Sequence, residues 1–224
     1  MPRHRLFGST MPIQKVGGHP LSFEIGNLYR QDLPPPEKPW GGIPEFSFVG
    51  GNNDEANVPV AGLTEAATRV LQREGRRLAI YNLGGSPLGH EDLRVFISDK
   101  LGIRAATTVE PDQVLVTSGS LQALDLVNDL LLSPGDNVIV EEATYGGMLS
   151  RLQRLGVEVH GVRLDSDGVC PEHLGELLDR CVSDGRPAKY LYTIPTVQNP
   201  TGSCMPLERR LEILKVMDQY ETVI

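Results

Sequence analysis

From Gln113 to Ile224 the sequence alternates short β-branched runs with amphipathic stretches, and this alternation limits the fold more than any other feature. QVLVT leads into GSLQALDLVNDLLL. NVIVEE follows an SPGD turn and precedes YGGMLSRLQRLG. VEVHGVRL is followed by PEHLGELLDR, and KYLYTIP is followed by an NPTG turn and PLERRLEILKVMDQYE. The closing TVI reads as the opening of one more strand. Strand-like runs that are apolar on both faces, alternating with helices, predict an α/β fold with a mostly parallel sheet in three α/β/α layers. In the last helix Leu207, Leu211, Leu214 and Met217 are expected to face the core. Ligands of such sheets bind beyond the carboxyl ends of the strands, so the strand-to-helix turns are the places to search.

Upstream of Gln113 the signals are less regular. AGLTEAATRVLQREG places Leu63, Ala67, Val70 and Leu71 at helical spacing, with Gly75 as a stop. GHEDLRVFISDKLG puts Leu93, Phe96, Ile97 and Leu101 on one face and is expected to end at Gly102. Between them Tyr81 to Gly89, YNLGGSPLG, reads as an irregular loop. Gln31 to Pro59 is dense in Pro and Gly, and reads as a connection in which Trp40, Phe46 and Phe48 pack on something. No internal repeat is present.

Composition excludes several classes of function. Of 224 residues 40% are apolar and 22% charged, as in an ordinary globular protein, and the formal charge of −8 argues against nucleic acid or an anionic membrane as a partner. Cys170, Cys181 and Cys204 form no CxxC pair and read as reduced thiols, with neither a disulfide framework nor a metal site. MPRHRLFGSTMPIQK lacks the apolar core of a signal peptide, and no run approaches the roughly 20 residues of a membrane span. The expected location is cytoplasmic.

Three strand ends carry chemistry. Ser118, Gly119 and Ser120 precede a helix, where they serve either as a cap or, with the free N–H groups of the first turn and the helix dipole, as an anion cradle. A dinucleotide fingerprint fits poorly: Glu141 or Glu142 has the spacing of the ribose acid, but the second glycine would fall at Leu121. Tyr145 follows NVIVEE and is either a core plug or a stacking platform. Asn199, in IPTVQNPTG, is either a turn residue or a free amide donor.

The order TSGSLQAL, ATYGGML, IPTVQNPTG resembles the pyridoxal-phosphate-dependent aminotransferases of class I/II. These have the fold-type-I large domain, and the likeness is greatest to their aminoadipate/kynurenine branch and to the aminotransferase-like half of MocR regulators. It runs from about Tyr81 to the last residue, with a weaker echo in LSFEIGNLYR (Leu21 to Arg30). The resemblance implies pyridoxal 5′-phosphate as cofactor. It assigns the phosphate to Ser120 and the backbone N–H groups of Leu121 and Gln122, with Gly119 closing the turn. Tyr145 would stack on the ring, Asn199 would donate to its phenolic oxygen, and Tyr81 would lie near the phosphate. Amino acid and 2-oxo acid substrates and a homodimer are implied in the same way. Leu121 stands where the family often has glutamine, and Val197 where the branch often has an aromatic residue.

That family runs to roughly twice this length. Its Schiff-base lysine, its aspartate partner for the pyridine nitrogen and its carboxylate-binding arginine fall beyond Ile224, so no catalytic residue is assigned here. Lys15, Lys38, Lys100, Lys189 and Lys215 offer no substitute. The chain is therefore expected to be the N-terminal portion of an aminotransferase, inactive alone, with an arm over residues 1–60 and a partial large domain over 61–224. Two alternatives are the effector half of a MocR-type regulator and a non-catalytic protein of the same fold.

Overall fold

A computed structural model describes residues 28–29, 41–42, 45, 51, 54–80, 86–105, 107–220 and 222–224. Tyr81, Trp40, Phe46, Phe48, Lys15, Lys38 and most of Leu21 to Arg30 lie outside these residues, and with them the readings made for them. The chain divides into two compact units, Met1–Val70 and Leu71–Ile224.

In the first unit Asp54 caps a single 3₁₀ turn, Glu55–Asn57, accepting from the Ala56 N–H at 3.0 Å. Helix α1, Val60–Glu74, then begins; no residue of it is buried. Its Thr64 and Thr68 hydroxyls donate back to the carbonyls four residues earlier, at 2.9 and 2.8 Å.

The second unit begins with the last turn of α1 and a 3₁₀ turn, Gly75–Ala79, and its first complete α-helix is α2, Glu91–Ala105. This helix passes through Gly102 instead of stopping there. A glycine ends a helix when it adopts the left-handed conformation, and Gly102 does not. The expected apolar face also departs from the structure: Leu93, Phe96 and Leu101 are exposed, whereas Arg94 is buried. Its guanidinium donates to the Pro111 carbonyl at 2.6 Å and the Gly89 carbonyl at 3.3 Å. Two carbonyls that need donors thus set the rotation of α2.

The QVLVT run is extended but is not a strand. Gln113 belongs to a 3₁₀ turn, and Val116 donates a single backbone hydrogen bond to Leu88 at 2.8 Å. A strand requires a ladder, and no described strand lies alongside it. Gly89 has φ +102°, and a Cβ there would meet Val116 Cβ at 2.7 Å, so only glycine allows this approach.

Helix α3 spans Ser120–Leu131, β1 Asn137–Glu141, α4 Gly146–Leu155 and β2 Glu158–Val162. Gly156, at φ 68°, ends α4 as a left-handed cap. A short hairpin follows, β3 (Leu164–Asp165) against β4 (Gly168–Val169), so VEVHGVRL is one strand broken at Arg163. Then come α5, Pro171–Ser183, β5, Ala188–Tyr192, and α6, Leu207–Met217. Strands β2, β1 and β5 form a parallel sheet in that order. The expected final strand appears as one parallel bridge, Val223 to Tyr190.

Alternation along β1 sends its side chains to two layers. Val138 and Val140 pack with Met148 and Leu152 of α4 and with Tyr190. Ile139 packs with Leu174, Leu177 and Leu178 of α5 and with Ile213 and Met217 of α6. The three-layer α/β/α expectation holds. Of the four residues expected to face the core from α6, only Met217 does so; Leu207, Leu211 and Leu214 are exposed. Arg209 and Arg210 explain the rotation. Arg209 donates to Asp165 and the Val169 carbonyl, and Arg210 to the Met205 and Pro195 carbonyls, which turns Ile213 toward the sheet.

Tyr190 is buried, and its hydroxyl donates to Asn128 Oδ1 at 2.5 Å, while Asn128 Nδ2 has no partner among the described residues. Tyr190→Phe leaves both ends of that buried amide unpaired and should cost about 1–3 kcal/mol in urea unfolding. Adding Asn128→Leu should recover most of the loss. For Asp165, burial acts to raise the carboxyl, but the Arg209 hydrogen bonds and the backbone donors prevail and hold it below its ordinary value. A depressed carboxyl stabilises the fold above its unfolded pKa and ceases to do so as pH falls through the folded one. The stability difference between the native chain and Arg209→Gln should therefore be full near neutrality and shrink below about pH 4 in acid titrations.

Candidate functional site at the carboxyl edge of the sheet

Three seams meet at one edge. Strands β1 and β5 are parallel neighbours, so the segments that follow them, carrying Tyr145 and Asn199, leave from the same side. Helix α3 leads into β1 through a short turn, and its ties to Tyr190 of β5 through Asn128 and to α4 through Asp125 direct its N-terminus toward that side. Leu124 of α3 and Tyr145 pack against the same apolar cluster, and Arg151 of α4 pairs with Asp125 of α3 at 2.7 Å.

Gly119 caps α3 with φ 86° and ψ 169°, a conformation that L side chains avoid. Ser120 is the first helical residue and is exposed; Leu121 is half-buried. Among the described residues no oxygen accepts from the N–H of Ser120, Leu121 or Gln122. The Gln122 side chain folds back instead, accepting from the Ser118 N–H at 2.5 Å. Three N–H groups without an acceptor among the described residues, a hydroxyl and the positive end of a 12-residue helix form a donor set suited to an anion.

Tyr145 is the N-cap of α4 and is half-buried. Its ring lies over Gly147, where an added Cβ would meet ring carbons at 2.5 Å. Glycine at 147 is therefore what lets the ring lie flat against its own helix. For Tyr192, at the end of β5, burial pushes the phenol above its ordinary value, and the charges of Glu141 and Tyr145 add to the shift.

Asn199 is exposed, precedes a cis peptide bond to Pro200, and has no hydrogen-bond partner for its side chain among the described residues. Its loop is held from both flanks. On one, Arg210 donates to the Pro195 carbonyl and the Thr196 hydroxyl, each at 2.9 Å. On the other, the amide of Gln198, 3% exposed, donates from Nε2 to Glu141 at 2.7 Å and to the Ala143 carbonyl at 2.6 Å. Its Oε1 accepts from the Thr201 N–H and hydroxyl, both at 2.8 Å. Glu141, 1% exposed, also accepts from the Thr193 hydroxyl at 2.7 Å and the Ile194 N–H at 3.0 Å.

Sequence reading missed Glu141 and Gln198 as site residues. It considered Glu141 only as a ribose acid and passed over Gln198. The available signal was an acid closing an otherwise apolar, buried strand, which must find donors.

A family model described as aminotransferase class I and II matches residues 50–224. The chain belongs to that family. It is 32% identical to an aromatic-amino-acid aminotransferase of Thermococcus litoralis and 34% identical to a 2-aminoadipate transaminase of Thermus thermophilus. Each alignment covers 80% of this chain and 42% of the relative. The aminotransferase-family chain thus spans about two fifths of the length of these relatives. A kynurenine aminotransferase of Pyrococcus horikoshii, solved with PMP, superposes with a TM-score of 0.71 at 31% identity, over 79% of this chain and 43% of that one. The α-aminoadipate aminotransferase LysN of Thermus thermophilus, complexed with N-(5′-phosphopyridoxyl)-L-leucine, superposes with a TM-score of 0.67 at 33% identity, over 77% and 41%. No described helix is long and apolar enough to cross a membrane.

Gly147→Ala should displace the Tyr145 ring without disturbing the sheet. The expected result is a changed Tyr145 ring signal in NMR spectra, with the amide signals of β1 and β5 unmoved.

Proposed function

We propose that this carboxyl edge binds pyridoxal 5′-phosphate, and that the whole protein moves an amino group between an amino acid and a 2-oxo acid. The observation that carries the reading is the set of three N–H groups on α3 that have no acceptor among the described residues, together with an aromatic ring after β1 and an amide after β5 that is unpaired among the same residues. The residues fit the group. A phosphate dianion matches the α3 cradle with the Ser120 hydroxyl and the N–H groups of Leu121 and Gln122. Gly119 supplies the turn that exposes them. A flat ring matches Tyr145, and a phenolic oxygen matches the free donor of Asn199.

When bound, the cofactor supplies the electron sink that makes the substrate α-carbon acidic. The chain's own residues bind it, orient it and hold its charges.

Proton transfer is assigned to a lysine outside the described residues. Lys189 pairs with Asp136 at the opposite end of the sheet, Lys215 sits in the last turn of α6, and Lys100 lies over the Phe96 ring of α2. The division into an arm over 1–60 and a large-domain portion over 61–224, a homodimeric assembly and a cytoplasmic location belong to the same reading. Amino acid and 2-oxo acid partners are part of it too, supported by the family and by the amino acids that the relatives' names carry.

Ser120→Asp sets a carboxylate against the phosphate and should weaken pyridoxal 5′-phosphate binding by at least about tenfold in equilibrium titrations. Pyridoxal without its phosphate should be affected far less. Equal effects on the two ligands would remove the cradle assignment. Borohydride reduction of the loaded chain should trap no stoichiometric adduct on Lys100, Lys189 or Lys215, as read by peptide mass mapping.

A further inference from the structure

We propose that Glu141 and Gln198 act as a clamp that positions the Asn199 donor relative to the Tyr145 segment. This inference rests on the cofactor reading above and deepens it.

The clamp is defined by its donor and acceptor count. Gln198 has two amide hydrogens, and both are used, on Glu141 Oε2 and on the Ala143 carbonyl. Its oxygen has two lone pairs, and both are used, by the N–H and hydroxyl of Thr201. The Gln198 backbone is committed as well: its N–H donates to Ser203 at 2.8 Å and its carbonyl accepts from Gly202 at 2.6 Å. One side chain therefore joins the strand end at Glu141, the segment two residues before Tyr145 and the turn containing Asn199.

Glu141 gives the clamp its direction. Its Oε1 holds Thr193 and Ile194, where the chain leaves β5, and its Oε2 receives Gln198. Carboxylate and amide are both nearly inaccessible to water, so water does not replace a lost partner cheaply. The amide of Gln198 cannot flip, because its oxygen would then face two acceptors and its nitrogen two donors. Asn199, the next residue, takes no bond of its own among the described residues and inherits its place from this network. A neighbouring constraint tightens the turn further: Val197 has φ 52°, unusual for a β-branched residue, and its N–H donates to Cys204 Sγ at 3.3 Å.

The chemical consequence is specific. An amide that donates to a phenolate stabilises the ionised form and lowers the pH at which the phenol loses its proton. Glu141→Gln keeps the size of the side chain and its bonds to Thr193 and Ile194, but presents an NH₂ to the NH₂ of Gln198. Asn199 then loses its register while the anion cradle on α3, which shares none of these bonds, is untouched.

The experiment uses the intact chain with 4-deoxypyridoxine 5′-phosphate, which keeps the ring, the phenol and the phosphate but cannot react with amines. Ultraviolet titration reads both affinity and the pH of phenol ionisation in the bound state, with inorganic phosphate as a second ligand. We expect Glu141→Gln to weaken the ring ligand by about tenfold and to raise the ionisation pH toward that of Asn199→Ala, with phosphate affinity unchanged within about twofold. Thr201→Val, an exposed change that removes one of the four amide bonds, should shift both readouts in the same direction by less, at an unchanged melting temperature. A merely structural role for Glu141 would lower the melting temperature and leave the ionisation pH of the bound ligand in place.

If Asn199→Ala raises the ionisation pH but Glu141→Gln and Thr201→Val do not, the clamp is wrong and the cofactor site stands. If the native chain does not bind the probe, or Asn199→Ala changes nothing, both readings fall. Should Glu141→Gln not fold, Thr201→Val decides alone, and a native ionisation pH in that variant overturns the clamp.

Discussion

All five residues of β1, Asn137–Glu141, are buried, and much of the larger unit is arranged to satisfy both faces and both ends of that strand. Val138 and Val140 require one helical layer, and Ile139 requires the other. The polar residues at the ends are the stricter demand, because a buried polar group without partners is costly. At the amino end Asn137 donates to the Arg186 carbonyl at 2.5 Å and shares its oxygen with His160 at 2.9 Å, tying the approach to β5 to the middle of β2. At the carboxyl end Glu141 collects Thr193, Ile194 and Gln198. The central strand thus organises its neighbours through hydrogen bonds at its ends as much as through apolar contact along its length.

The candidate site follows from this arrangement. Loops beyond parallel strands are free to diverge, yet here the two that matter are tied to one carboxylate and one amide. The groups proposed to bind the cofactor, the N–H donors of α3 and the Asn199 amide, sit outside that network and make no bonds within it. Groups that hold the geometry and groups left free to bind are therefore different residues, and a rigid buried layer presents an unsatisfied polar surface. Gly119 and Gly147 serve the same division, one by a backbone conformation and the other by the space it leaves for a ring.

Much of this was legible beforehand, and the exceptions have a common cause. Alternation of β-branched runs and helices identified the three-layer sheet, and the turn chemistry at Ser120, Tyr145 and Asn199 singled out three turns, of which those after β1 and β5 leave from one edge. The faces of α2 and α6 were misread, because periodicity counts apolar residues and does not weigh arginines. In both helices a guanidinium reaching backbone carbonyls sets the rotation: Arg94 in α2, and Arg209 with Arg210 in α6. QVLVT was read as a strand from its composition, but a ladder needs a neighbour, and Val116 has one bond.

Residue type and spacing by themselves determined the fold class, the family and the three seams, because these depend on local periodicity and on groups whose chemistry is carried by single residues. Which seams converge, which way each helix turns, and how Glu141 and Gln198 lock the Asn199 turn were decided only in the tertiary structure. Those outcomes depend on partners distant in the chain: Gln198 lies far from Glu141 in sequence, and only the pairing of β1 with β5 brings them within hydrogen-bonding distance.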